Sequence, residues 1–164
     1  MKVVSKQTNS KMCIICGLEN SLGVKADFYN MEDGSVGAKF KFRKEHQSYP
    51  ERVHGGMVSA LLDELAGRAL WVTDPELLGV TANMSVKFRK PVPYDKTLLA
   101  KGYITKRSSR IFSAEAQIFD EDKSVLAQLS GNYVILPNEQ ISSCNNLSEE
   151  VSIFVKDNVT ELDI

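Results

Sequence analysis

His54-Gly55-Gly56-Met57-Val58-Ser59-Ala60-Leu61-Leu62-Asp63-Glu64-Leu65-Ala66-Gly67-Arg68-Ala69-Leu70-Trp71 is the stretch whose reading decides the fold. It predicts one long helix, from Gly55 or Gly56 to about Trp71. Met57, Val58, Ala60, Leu61, Leu62, Leu65, Ala66, Ala69, Leu70 and Trp71 cover nearly all of its circumference, and a helix apolar all round is a buried one. Two carboxylates sit inside it, and an unpaired buried charge is costly. Glu64 precedes Arg68 by four residues, the favourable orientation for an ion pair. Asp63 has no such partner. At ~100° per residue it shares a stripe with Ser59 and Gly67, flanked by Ala60 and Ala66, so small side chains leave room for something to approach it. A carboxylate placed in that way is a functional-site candidate.

The start of the helix is the second signal. Val53-His54-Gly55-Gly56 leads from irregular chain into the helix, so backbone N–H groups stand free at the positive end of the helix dipole. A plain turn is one reading of the two glycines, and an oxyanion site is the other. From His54 to Asp63 the helix rises ~13 Å, too far for one chain's glycine donor and aspartate to act on a single carbonyl. If they work together, they come from two chains.

Outward from the helix the pattern changes to period two. Val24 to Met31 and Ser35 to Arg43, separated by Glu32-Asp33-Gly34, predict a hairpin. Thr81 to Pro91, Leu98 to Ser108, Arg110 to Asp120 and Val125 to Leu136 follow, each rich in β-branched or aromatic residues and bounded by turn residues. Short connections make such strands antiparallel. The expectation is an α+β domain with a sheet of about six strands over residues 13–136, preceded by a flexible tail over 1–12. Residues 137–164 read as a C-terminal extension, polar from Asn138 to Asn146. Leu147, Val151, Phe154 and Val155 then predict a short amphipathic helix.

The 164 residues are 43% hydrophobic and 25% charged, which suits one soluble domain with a single core. No apolar run approaches the ~18 residues of a membrane span. The opening residues lack the apolar stretch of a secretory signal, so the expected location is cytoplasmic. A formal net charge of -1 points away from nucleic acid. Three cysteines suggest free thiols. Cys13 and Cys16 have the spacing of half a zinc site, but no second pair follows, so no metal is expected. From Lys87 to Arg110 there are eight basic residues against one acid. These are either solvated strand faces or a rim for an anionic ligand.

The stretch from His54 to Glu64 closely resembles the signature of the phenylacetate-type hotdog thioesterases. Cys13 to Asn20, His46 to Pro50 and Gly79 to Phe88 also look like that family, so the resemblance runs from about Cys13 to Leu136. It implies a hotdog fold, one central helix wrapped by an antiparallel sheet, assembled as homodimers or homotetramers. It also implies hydrolysis of acyl-CoA with no cofactor beyond the CoA of the substrate. Asp63 takes the place of the catalyst, as nucleophile or as general base. The Gly55 N–H polarises the thioester carbonyl, with Gly56 beside it; His54 fixes that loop, and Thr81 orients the attacking group. Glu64 is a secondary candidate. Where some members place an asparagine six residues before the histidine, this chain has Ser48, with Gln47 beside it. Lys87, Arg89, Lys90, Arg107 and Arg110 are the expected contacts to the CoA phosphates. Two other activities suit the resemblance: a hydroxyacyl-thioester dehydratase with His54 as base, and an acyl-CoA sensor without turnover.

Overall fold

In the computed structural model, residues 1–137, 140–141 and 147–164 are described. The long helix, α1, spans Gly55–Arg68 and continues as a 3-10 turn over Ala69–Val72. Pro75 lies just beyond, where a helix cannot continue.

Among the described residues nine strands accompany it: β1 (Val3–Lys6), β2 (Asp27–Met31), β3 (Val36–Lys41), β4 (Gln47–Tyr49), β5 (Arg52–Val53), β6 (Leu77–Phe88), β7 (Thr97–Arg107), β8 (Ile111–Phe119) and β9 (Val125–Pro137). Seven form one antiparallel sheet in the order β1-β2-β3-β7-β8-β9-β6, and β4 pairs with β5 separately. The six expected strands are all present. The seventh is β1, which pairs with β2 inside the segment expected to be a flexible tail.

One face of the sheet packs on α1. Leu98 and Ala100 from β7, Phe112, Ala114, Ala116 and Ile118 from β8, and Ala127, Leu129 and Tyr133 from β9 are buried there with Val58, Leu61, Leu62 and Leu65. The alanines and Gly102 let the helix lie close, since a Cβ on Gly102 would stand 3.1 Å from the Leu65 backbone. The turn between β2 and β3 needs Gly34, whose φ is 79°. This helix-in-sheet arrangement is the hotdog fold expected from the sequence.

The C-terminal extension returns to the other face. Val3 N donates to Thr160 O, Leu162 N donates to Met1 O, and Leu162 joins Tyr29 and Met31 in a second small apolar cluster. The expected amphipathic helix is short: α2 covers only Leu147–Val151, and Phe154 and Val155 are exposed beyond it. Part of the polar stretch from Asn138 to Asn146 lies outside the described residues. No helix among the described residues is long and apolar enough to cross a membrane.

Candidate active site

The helix begins as the glycines suggest. His54 is the N-cap: its Nδ1 accepts from Gly56 N at 2.9 Å, and its carbonyl accepts from Met57 N and Val58 N. His54 N donates to the carbonyl of buried His46, tying the cap to the segment before β4. Among the described residues nothing accepts from Gly55 N, a first-turn donor that an α-helix leaves open. Phe88 packs beside Gly55, within 3.4 Å of where a Cβ would be.

Asp63 lies in the middle of α1, half-buried, and two hydroxyls converge on its Oδ1. Thr81 Oγ1 donates at 2.8 Å and Tyr133 Oη at 3.0 Å. The two are register partners on β6 and β9, so their side chains leave the sheet on the same face. The ladder between β6 and β9 shifts between Thr81 and Asn83, leaving Ala82 as an extra residue. Without such a bulge Thr81 would share a face with Lys87; with it, Thr81 faces the helix, and so do Val86 and Phe88 further along. Burial, then the Asp63 charge, pushes the Tyr133 phenol far above its usual range, so Tyr133 stays protonated and donates. Among the described residues Asp63 Oδ2 has no hydrogen-bond partner. The carboxylate borders a cavity of about 200 Å³ shared with Cys13, Gly67, Trp71, Gly79 and Thr81.

Glu64 plays a different part. Its Oε1 accepts from Arg68 Nε at 2.8 Å, the predicted ion pair. Arg68 is buried between the rings of Phe28 and Trp71, and it also donates to Gln7 Oε1, Thr8 O and Cys16 Sγ. Cys13, Cys16 and Glu64 offer three donor atoms within 4.8 Å of one another. Arg68 Nη2, 3.1 Å from Cys16 Sγ, already supplies the positive charge there, which works against a divalent cation.

Gly55 borders a second cavity, of about 360 Å³, with Ser48, Tyr49, Arg52, Arg89 and Lys90. Between the two positions left open by the sequence, Ser48 is the one at this cavity, while Gln47 is exposed elsewhere on β4. Arg52, in the two-residue β5, was not among the expected cations; a strand so short leaves no periodicity to read. The expected cationic group divides. Arg89 and Lys90 stand beside Gly55 and Lys87 is exposed on β6, whereas Arg107 is held by Asp74 at 2.6 Å in a separate cavity. Arg110 is exposed in the turn before β8. Tyr133 was also missed, because it reads as one more aromatic residue of a strand.

Gly55 and Asp63 therefore face two different cavities of one chain. A sequence model of the Thioesterase superfamily matches residues 51–127, from the turn before the helix into β9. The acyl-coenzyme A thioesterase THEM4 of Rattus norvegicus is 27% identical over 110 residues, covering 66% of this chain and 46% of that protein. The chain thus spans about half the length of that relative. The crystal structure of RHA08564, a thioesterase superfamily protein, superposes with a TM-score of 0.67 at 28% identity, covering 73% of this chain and 58% of that one. A hypothetical thioesterase from Streptococcus pneumoniae TIGR4, solved with coenzyme A, shares the fold with a TM-score of 0.61 at 20% identity, over 68% of this chain and 86% of that one. The chain has the hotdog fold of these thioesterase structures, and its residues 51–127 are similar to the thioesterase superfamily model.

Proposed function

We propose that the chain hydrolyses acyl-CoA thioesters as a homodimer, each active site combining Asp63 of one subunit with the Gly55 N–H of the other. The observation that carries this reading is the hold on Asp63: two hydroxyls fix one carboxylate oxygen and, among the described residues, leave the other free beside a cavity. Such a carboxylate is oriented for attack or for activating water, a contribution of ~10² to 10⁴ in rate for a general base. The Gly55 N–H, unpaired among the described residues at the helix start, is suited to the developing oxyanion, and one such donor is worth ~10² to 10³. Water adds to the thioester carbonyl, the C–S bond breaks, and the products are the free acid and CoA thiol.

The wall of the Asp63 cavity, with Gly67, Trp71 and Leu78, suits the acyl group. Arg52, Arg89 and Lys90, beside Gly55, suit the phosphates of CoA. On this reading the cationic contact moves from Arg107, which is spent on Asp74, to Arg52. Two copies pair along β6, which antiparallel placement of the two long helices would bring edge to edge, so that the start of one helix meets the middle of the other.

Complementation tests the composite site. Asp63→Asn chains and Gly55→Pro chains, the latter lacking the donor N–H, are each expected to be dimeric and inactive. Unfolding and reassembling a 1:1 mixture is expected to restore roughly a quarter of wild-type activity, because half the dimers are mixed and each holds one intact site. Mixed dimers seen by native mass spectrometry without recovered activity would place the site within one chain.

A further inference from the structure

Cys13 and Cys16 stand on a tight turn ahead of β2. Gly17 N donates to Cys13 O at 2.8 Å, and Ile15 N donates to Cys13 Sγ at 3.3 Å. A Cβ on Gly17 would lie 2.3 Å from Cys13 O, so the turn closes this tightly only with glycine there. It brings the two sulfurs within 4.8 Å of each other. A disulfide needs ~2.0 Å, so at most about 3 Å of sulfur movement separates the thiols from a bond.

Their surroundings differ from those of packing thiols. Cys16 is buried, and its sulfur accepts from Arg68 Nη2 at 3.1 Å, from a guanidinium that is itself buried. The Cys13 thiol beside it pulls Cys16 down to about 7; burial and the Glu64 charge oppose this, and Arg68 adds to it. Cys13 is pushed up by the same neighbour, by burial and by Glu64. The buried guanidinium and the Cys13 thiol thus favour the thiolate on Cys16 over one on Cys13. Cys13 borders the Asp63 cavity and lies 3.8 Å from Glu64 Oε2, whereas Cys16 lies behind it.

We propose that Cys13 and Cys16 are a redox couple that closes to a disulfide in the wall of the Asp63 cavity and so changes which acyl groups the cavity admits. The second half of this statement rests on the thioesterase reading; the first does not. Because Cys16 is buried, the oxidant has to be small, and a hydroperoxide is the class that fits. The Cys16 thiolate attacks the peroxide, the O–O bond breaks, and a sulfenic acid forms as hydroxide leaves. Cys13 sulfur then attacks Cys16 sulfur; the S–S bond forms, the S–O bond breaks, and the departing oxygen takes up the Cys13 proton as water. Two thiols and one hydrogen peroxide give one disulfide and two waters. Closing the bond draws the Cys13 sulfur away from Glu64 and out of the cavity wall. Asp63 is held from β6 and β9, which the turn does not carry, so the chemical step is spared.

The test uses the full chain carrying Cys144→Ser, so that Cys13 and Cys16 are its only thiols. One equivalent of hydrogen peroxide under native conditions is expected to remove both thiols together. The peptide spanning both cysteines loses two hydrogens in mass, and dithiothreitol reverses the change. Oxidation is expected to shift KM for a long-chain acyl-CoA about three-fold relative to acetyl-CoA, with kcat moving less than about two-fold. Cys16→Ser is expected to abolish the shift; Cys13→Ser serves if burial of the new hydroxyl prevents folding. Two thiols that survive, or separate sulfinic acids in place of the bridge, overturn the couple even if the chain hydrolyses no thioester. A reversible disulfide that leaves the KM ratio unchanged overturns its link to the cavity.

Discussion

At one edge of the seven-stranded sheet, β1 is only four residues long, and the returning C-terminal segment closes over it: Val3 N donates to Thr160 O, and Lys2 bridges to Glu161. At the other edge, β6 runs for twelve residues and, among the described residues, pairs only with β9. Val80, Met84 and Phe88 on β6 are 42%, 44% and 54% exposed. A long apolar edge strand with an open row of backbone groups is a template for another chain, and monomers blunt such edges with charge, proline or cover. The chain covers one edge with its own terminus and leaves the other bare. The bare edge is the one that carries Thr81 and Phe88, next to Asp63 and Gly55. The difference puts the open edge, along which two copies are proposed to pair, beside the candidate site.

The strongest way to break this comparison is to charge the bare edge. Met84→Asp introduces a carboxylate where two copies are proposed to meet, and the two-fold axis doubles it. The dimer is expected to weaken, with Kd rising about 100-fold, on the order of 3 kcal/mol. Specific activity is expected to fall with it at low enzyme concentration and to recover as the concentration rises. Analytical ultracentrifugation alongside the thiol-release assay reads both. A variant that stays dimeric at wild-type strength would move the interface away from β6.

How far the sequence revealed these two edges differs for a physical reason. The helix, the Glu64–Arg68 pair and six strands were legible because each is written in local periodicity. The open N–H groups at the helix start were legible because two glycines lead into it, whereas the part of His54 there came from family resemblance. By contrast β1 owes its existence to partners far along the chain, β2 and the C-terminal segment, and its own Val3-Val4-Ser5-Lys6 shows no alternation. The bulge at Ala82 reverses which face each residue of β6 presents, so period two read from Val86 and Phe88 gives Thr81 the wrong side. Its link to Asp63 came from family resemblance, not from pattern. Tyr133 reaches Asp63 only because the bulged strand pairs with β9, a contact 70 residues apart.

The covered edge has its own test, with a smaller effect and a different readout. Leu162 is buried against Tyr29 and Met31. Leu162→Ala removes that contact, and large-to-small changes in a core cost ~2 to 5 kcal/mol. The cluster is small, with Tyr29, Met31 and Leu162 as its buried members, so a loss at the low end, about 2 kcal/mol, is expected. The midpoint of urea unfolding should fall accordingly, while KM and kcat below the transition stay at wild-type values. If activity or dimerisation falls as steeply as stability, the two edges are not independent and the contrast between them fails.

The smallest effect concerns the turn that joins β2 to β3 on the covered side. Burial alone would raise the Asp33 carboxyl, but hydrogen bonds from Lys101 and from Ser35 outweigh it and hold the group down at about 2. Lys101 Nζ stands 2.6 Å away, reaching across from β7. An unfolded aspartate titrates at ~3.9, so this depressed value means stability that is fully present above about pH 4 and lost as pH falls towards 2. The side chain is 39% exposed, and water screens the pair, so the contribution is on the order of 0.5 to 1 kcal/mol, well below what the shift alone implies. Asp33→Asn keeps an acceptor for Ser35 N but removes the charge. Its deficit in urea unfolding is expected to be full at pH 7 and to shrink towards zero by pH 2. A deficit of the same size at both ends of that range would mean that the turn depends on the shape of Asp33 and not on its ionisation.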